Sequence, residues 1–131
     1  MADWETVRRI ALALPEVTEE AGRTIGWRVR KKLIAWERPL RKSDLEALGD
    51  DAPEGPILGV RVADEGDKHA LIGDDPEVFF TTPHFDGWPA VLVRLDEIDD
   101  DVLEEVITEA WVVQAPKRLA RAFLEERGLP G

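Results

Sequence analysis

The chain has 131 residues, a net charge of −11, an apolar fraction of 44% and no cysteine. One domain fits that length, and the composition is that of a folded chain with an ordinary core. Disulfides, a thiol nucleophile and thiolate-held zinc or iron–sulfur sites are excluded, and the acidity argues against a general affinity for nucleic acid or anionic membrane.

Trp4, Val7, Ile10, Ala11 and Leu14 recur at helical spacing, with Asp3 as a capping residue and Pro15 as a stop. A short polar link is expected next. "TIGWRVR" then alternates, with Ile25, Trp27 and Val29 on one side and Gly26, Arg28 and Arg30 on the other, the pattern of a half-buried strand. "KLIAWER" follows at once, so Arg30–Lys32 is expected to turn a hairpin with a basic outer face and an apolar inner face. Residues 39–56 read as a loop in which Ser43 and Glu46 have capping-box spacing and Gly49 is a stop, giving one or two helical turns. "ILGVRV" is a strand, and Asp64 caps a short helix that Gly73 and Pro76 end. "EVFFTT" is extended, and "AVLVRL" is apolar enough for an interior strand. Val102, Leu103, Val106, Ile107 and Ala110 line one helix whose start carries Asp99, Asp100 and Asp101. Pro116 restarts a second helix with Leu119, Ala120, Phe123 and Leu124, running to Gly128. The expected fold is α+β: a single domain over residues 1–131 with helices on a mainly antiparallel sheet.

Charge is segregated. Arg23, Arg28, Arg30, Lys31, Lys32, Arg38, Arg41 and Lys42 stand against one acid, Glu37, a local charge of +7. Screening acts over about 8 Å at physiological salt, so such a patch is felt locally despite an acidic body. A hairpin with Arg28, Arg30, Lys31 and Lys32, helped by Arg38, Arg41 and Lys42, suits a phosphate backbone. The competing reading is that these cations pair with acids of the same chain.

"FFTTPHFDGWPAVLV" is the other conspicuous stretch. As chemistry it offers His84 as a base, Asp86 as its orienter and Thr81 or Thr82 as a nucleophile. As structure, Pro83 keeps Thr82 extended, Asp86-Gly87 signals a turn, and Phe85 and Trp88 pack beside it. The second reading is favoured, and no catalytic residue is assigned. The carboxylate runs "DEIDDD" and "GDDPE" lack the alternation of a calcium loop, so no metal or cofactor is implied. No apolar run of about 18 residues and no leader pattern stand out, so a cytoplasmic monomer is expected.

"ALPEVTEEAG", "GWRVRKKLIAW", "DDPEVFFTTPHFDGWPAVLVRL" and "EAWVVQAP" together resemble the MmcQ/YjbR family, covering residues 12 to 123. That resemblance implies an α+β fold with two β-hairpin wings, similar to a wing-type DNA-binding domain of a phage transcription factor. It also implies DNA as a partner and carries no catalytic residues. "RKK" departs from the pattern, in which a glycine is expected before the lysine. The reading is a non-enzymatic module that binds DNA through the basic hairpin. The alternative is a protein-interaction or small-ligand domain, with an acidic protein as partner.

Overall fold

A computed structural model describes residues 2–126, apart from the side chain of Asp51. The first helix, α1 (Trp4–Leu12), starts where the Asp3 carboxylate accepts the Thr6 N–H at 2.9 Å, and it buries Val7, Ile10 and Ala11. Capping by Asp satisfies one of the unpaired N–H groups of a helix start. The remaining elements are β1 (Val17–Ala21), β2 (Ile25–Val29), β3 (Lys32–Glu37), α2 (Lys42–Leu48), β4 (Ile57–Arg61), α3 (Glu65–Asp74), β5 (Phe79–Phe80), β6 (Ala90–Arg94), α4 (Asp100–Gln114) and α5 (Lys117–Glu126). The Gly128 stop expected for the last helix lies outside the described residues.

The six strands form one antiparallel sheet in the order β1-β2-β3-β4-β6-β5. On its inner face Trp27, Val29, Ala35, Leu58, Val60, Val91 and Val93 meet α1, α4 and α5 in the main core. The outer face carries a smaller cluster of Ile57, Phe80, Phe85, Ala90 and Leu92, to which Trp36 of β3, Leu40 of the link that follows and Leu48 of α2 add. The single α+β domain expected from the residue pattern is therefore what the chain forms.

Three expectations are corrected. The polar link after α1 is the edge strand β1, paired with β2 from Val17↔Val29 to Ala21↔Ile25. Its one acid on the inner side, Glu19, hides the alternation: the carboxylate takes the Trp27 N–H at 3.0 Å and the Arg8 guanidinium at 2.6 Å. That arginine, then the indole N–H, holds the Glu19 carboxyl below its ordinary range against the cost of burial. The capping box is not Ser43 and Glu46. The cap of α2 is Arg41, two residues earlier, and Asp44 accepts the Arg41 N–H at 2.8 Å while also holding Arg38. Finally, the hairpin's outer face is not uniformly basic. A bulge puts one extra residue of β3 opposite Trp27 and Arg28, and Leu33 and Trp36 share the outer face with Arg28.

The stretches behind the family resemblance meet one another in space. Trp111 of α4 is fully buried and donates its N–H to the Pro15 carbonyl at 2.9 Å, and Gln114 donates to the Leu33 carbonyl at 3.0 Å. Helix α4 thus fixes both the entry into β1 and the β2–β3 hairpin close to its tip. Among the described residues no helix is long and apolar enough to cross a membrane.

Candidate nucleic-acid interface

The β2–β3 hairpin turns through Arg30 and Lys31, so the expected tip is where the sequence puts it. Arg30 has φ +57°, the left-handed region where glycine is favoured, which explains why a glycine is the expected residue there. Glu16, also at φ +57°, answers it. The Arg30 N–H points at the Glu16 carbonyl (3.4 Å), and the guanidinium pairs with the Glu16 carboxylate at 2.9 Å.

Neighbouring cations are also occupied. Arg28 pairs with Glu20 at 3.1 Å and donates to the Lys31 carbonyl at 3.0 Å. Arg38 is buried: it pairs with Asp44 at 2.9 Å, donates to the Pro39 carbonyl and sits 5.2 Å above the Phe85 ring. Burial opposes the charge on Asp44, yet the Arg41 N–H, the Thr82 hydroxyl and the Arg38 guanidinium together keep its carboxyl below the usual range. Lys31, Lys32, Arg41 and Lys42 remain exposed and, among the described residues, in no ion pair. Of the seven candidate residues, three arginines serve the fold and four cations stay available.

The four form two groups. Lys31 and Lys32 occupy the hairpin tip, and Arg41 and Lys42 follow the other end of β3, a strand about 17 Å long at roughly 3.3 Å per residue. With β1 included, the three-stranded wing over residues 16–37 carries five basic residues and four acids, a net charge of +1. The polar stretch that sequence pattern reads as a link is thus the strand that neutralises the wing.

Between the two groups the outer face is open. Trp36 pairs with Gly26 on β2 and Gly59 on β4, so both cross-strand neighbours of the indole are glycines. The ring crosses Gly59 and takes the space of a side chain there: a β-carbon on Gly59 would meet Cε2 at 2.3 Å. Beyond it lies a shallow depression of about 510 Å³, bordered by Gly26, Leu33, Trp36, Arg28 and Glu20.

The "FFTTPHFDGWPAVLV" stretch forms a turn between β5 and β6. Pro83–Phe85 make a single 3-10 turn, Gly87 takes φ +80°, and Phe85 is buried. His84 is exposed and packs edge-on against Phe85, with ring centres 5.0 Å apart, while Thr82 is buried and Asp86 exposed. Trp88 does not pack beside the turn as expected; it is 65% exposed. The residue that organises this loop escaped the pattern reading. Lys68 of α3, 1% exposed, donates its ammonium to the Phe85 carbonyl at 2.7 Å and the Trp88 carbonyl at 3.1 Å. Its signal is positional: Lys68 shares a helix face with Leu71 and Ile72, both packed on the core.

The model of the YjbR family matches residues 12–113. The chain belongs to the YjbR family. This YjbR chain is 61% identical over 131 residues to "Uncharacterized protein Rv2570" of Mycobacterium tuberculosis (strain ATCC 25618 / H37Rv), a match that spans 98% of this chain and 100% of the relative. "Uncharacterized protein Mb2600" of Mycobacterium bovis (strain ATCC BAA-935 / AF2122/97) matches to the same extent. Among solved structures, the YjbR chain is similar to Deinococcus radiodurans protein DR2400, a DUF419 domain. The TM-score is 0.67 at 20% identity, over 99% of this chain and 91% of that one, a likeness of fold.

Proposed function

We propose that this YjbR chain is a non-catalytic binding module for nucleic acid, contacted by Lys31 and Lys32 at the wing tip and by Arg41 and Lys42 at the start of α2. One observation carries the reading: among the described residues these four cations lack carboxylate partners, on and beside a ribbon where each neighbouring arginine except Arg23 is paired within the chain. The non-catalytic part is supported by how the reactive groups are used. Lys68 and Asp44 are bound into the fold, and His84 stands exposed, in no hydrogen bond or ion pair among the described residues.

Four contacts predict a log–log salt slope near −3.6 for duplex and about −2.8 for a single strand. Fluorescence anisotropy with labelled DNA at low salt measures it. Lys31→Glu with Lys32→Glu, and Arg41→Glu with Lys42→Glu, should each weaken binding and flatten the slope by about half. A salt-independent signal, or no binding of either DNA form at micromolar protein, refutes the proposal. A protein partner is favoured by one separate observation, the exposed Trp88 on a loop that Lys68 holds still. In that case the charge reversals leave partner binding intact and Trp88→Ala removes it.

A further inference from the structure

Gly26 lies on the outer face of β2, beside the bulge that the strand pair makes at Trp27 and Arg28. No positive φ is required of it, and a β-carbon there would press on Leu33 Cδ1 at 3.3 Å, closer than ordinary van der Waals contact, so that flexible side chain would have to give. Gly59, by contrast, is filled by the Trp36 ring. A glycine inside a strand weakens it and marks a bulge or a place that something else approaches closely.

What approaches is constrained by the surroundings. The depression beside Gly26 is bordered by the Trp36 indole and Leu33, and its two charged residues, Arg28 and Glu20, cancel each other across 3.1 Å. Its lining is therefore neutral overall, part polar and part apolar, and carries one aromatic ring, while cations in no ion pair among the described residues lie beyond both ends of β3, Lys31 and Lys32 on one side and Arg41 and Lys42 on the other. Helix α2 covers the same outer face through Leu48, so Arg41 and Lys42 start from the side on which Trp36 lies.

We infer that the open outer face of the wing takes an unpaired base of a single-stranded nucleic acid, stacked on Trp36 in the space left by Gly26, with the flanking phosphates on the two cation pairs. This rests on the nucleic-acid reading above and narrows its target. An aromatic ring on an exposed sheet face flanked by positive charge is how sequence-tolerant single-strand sites are built, because every base has a π-face. A duplex keeps its bases stacked inside and offers this neutral platform nothing.

The test compares three labelled probes by anisotropy: an oligothymidylate about ten nucleotides long, an abasic strand of the same length, and a duplex. Expected is oligothymidylate binding about tenfold or more tighter than the abasic strand. Gly26→Val fills the platform with a strand-favouring side chain and should erase that preference while leaving abasic binding unchanged. Trp36→Ala should do the same and Trp36→Phe should retain most of it. Because the second cluster also uses Trp36, Gly26→Val is the decisive variant, with its thermal melt confirming the fold. Equal binding of oligothymidylate and abasic strand, or a Gly26→Val protein that binds like the wild type, overturns the inference and leaves the cation reading standing. Binding of no probe removes both.

Discussion

Lys68→Met separates the role of the ammonium from that of its stem. Methionine keeps the unbranched apolar stem in place and removes only the charged donor. Two charge-assisted hydrogen bonds to carbonyls are lost, each worth about 1.5–3 kcal/mol gross, together with a long contact to the half-exposed Glu65 carboxylate at 3.5 Å that adds little. Two effects offset much of that. The desolvation cost of a buried ammonium, several kcal/mol, is no longer incurred. Each stranded carbonyl also keeps a backbone partner: Phe85 O still accepts from the Trp88 N–H at 3.0 Å, and Trp88 O from the Ala90 N–H at 2.8 Å. The net expectation is a loss of about 1–2 kcal/mol from a total that, for a domain, is roughly 5–15 kcal/mol. Urea unfolding gives the global figure, and amide exchange at Trp88 and Ala90 should speed up more than exchange at Val91 in the strand beyond. A variant within about 0.5 kcal/mol of the wild type, with unchanged exchange across 83–90, would refute the idea that Lys68 sets the loop.

Three further outcomes follow from the same geometry. Gly59→Ala drives a methyl group into the Trp36 ring, at 2.3 Å from Cε2, and should cost about 1–3 kcal/mol in a thermal or denaturant melt; a neutral result would mean the indole is free to leave β4. Asp44 has a depressed carboxyl pKa, so its contribution is present above the unfolded carboxylate value near 4 and is lost as pH falls through its lower folded value. Asp44→Asn should therefore be less stable than wild type at neutral pH, and the gap should narrow as pH falls below the ordinary carboxylate range, as measured by urea unfolding at a series of pH values; a constant gap contradicts the assignment. Arg30→Gly relieves a left-handed arginine at a cost of one exposed ion pair, worth about 0–1 kcal/mol, so the melting temperature should hold or rise; a loss above about 1 kcal/mol would show that the Glu16 pairing outweighs the backbone strain.

Elements whose apolar residues face a single core were legible from spacing alone. Val7, Ile10 and Ala11 of α1, and Leu103, Val106, Ile107 and Ala110 of α4, are buried as their period requires, and Ile25–Trp27–Val29 turn inward as strand parity demands. What escaped involves polar groups doing the work of apolar ones. Glu19 on the inner side of β1 and Lys68 on the inner side of α3 are satisfied by partners 8 to 20 residues away, Trp27 for one and Phe85 and Trp88 for the other. Local pattern contains no trace of those partners. The candidate interface was legible as a cluster of charge and not as a surface, because neutralisation by Glu16 and Glu20 depends on a strand that hydropathy reads as loop. The bulge in β3 had a similar effect: one extra residue leaves the sequence unchanged in appearance and moves Trp36 to the outer side.

Strand β1 is the free margin of the sheet, with unpaired backbone groups along its outside and Thr18 and Glu20 exposed. A bare margin of that kind invites a second chain to add itself as another strand, and acidic side chains discourage it. The carboxylates that temper the wing's positive charge therefore double as a guard against strand-to-strand aggregation. Replacing Glu16 and Glu20 by neutral residues would strip that guard and bring the net charge closer to zero, so solubility should fall.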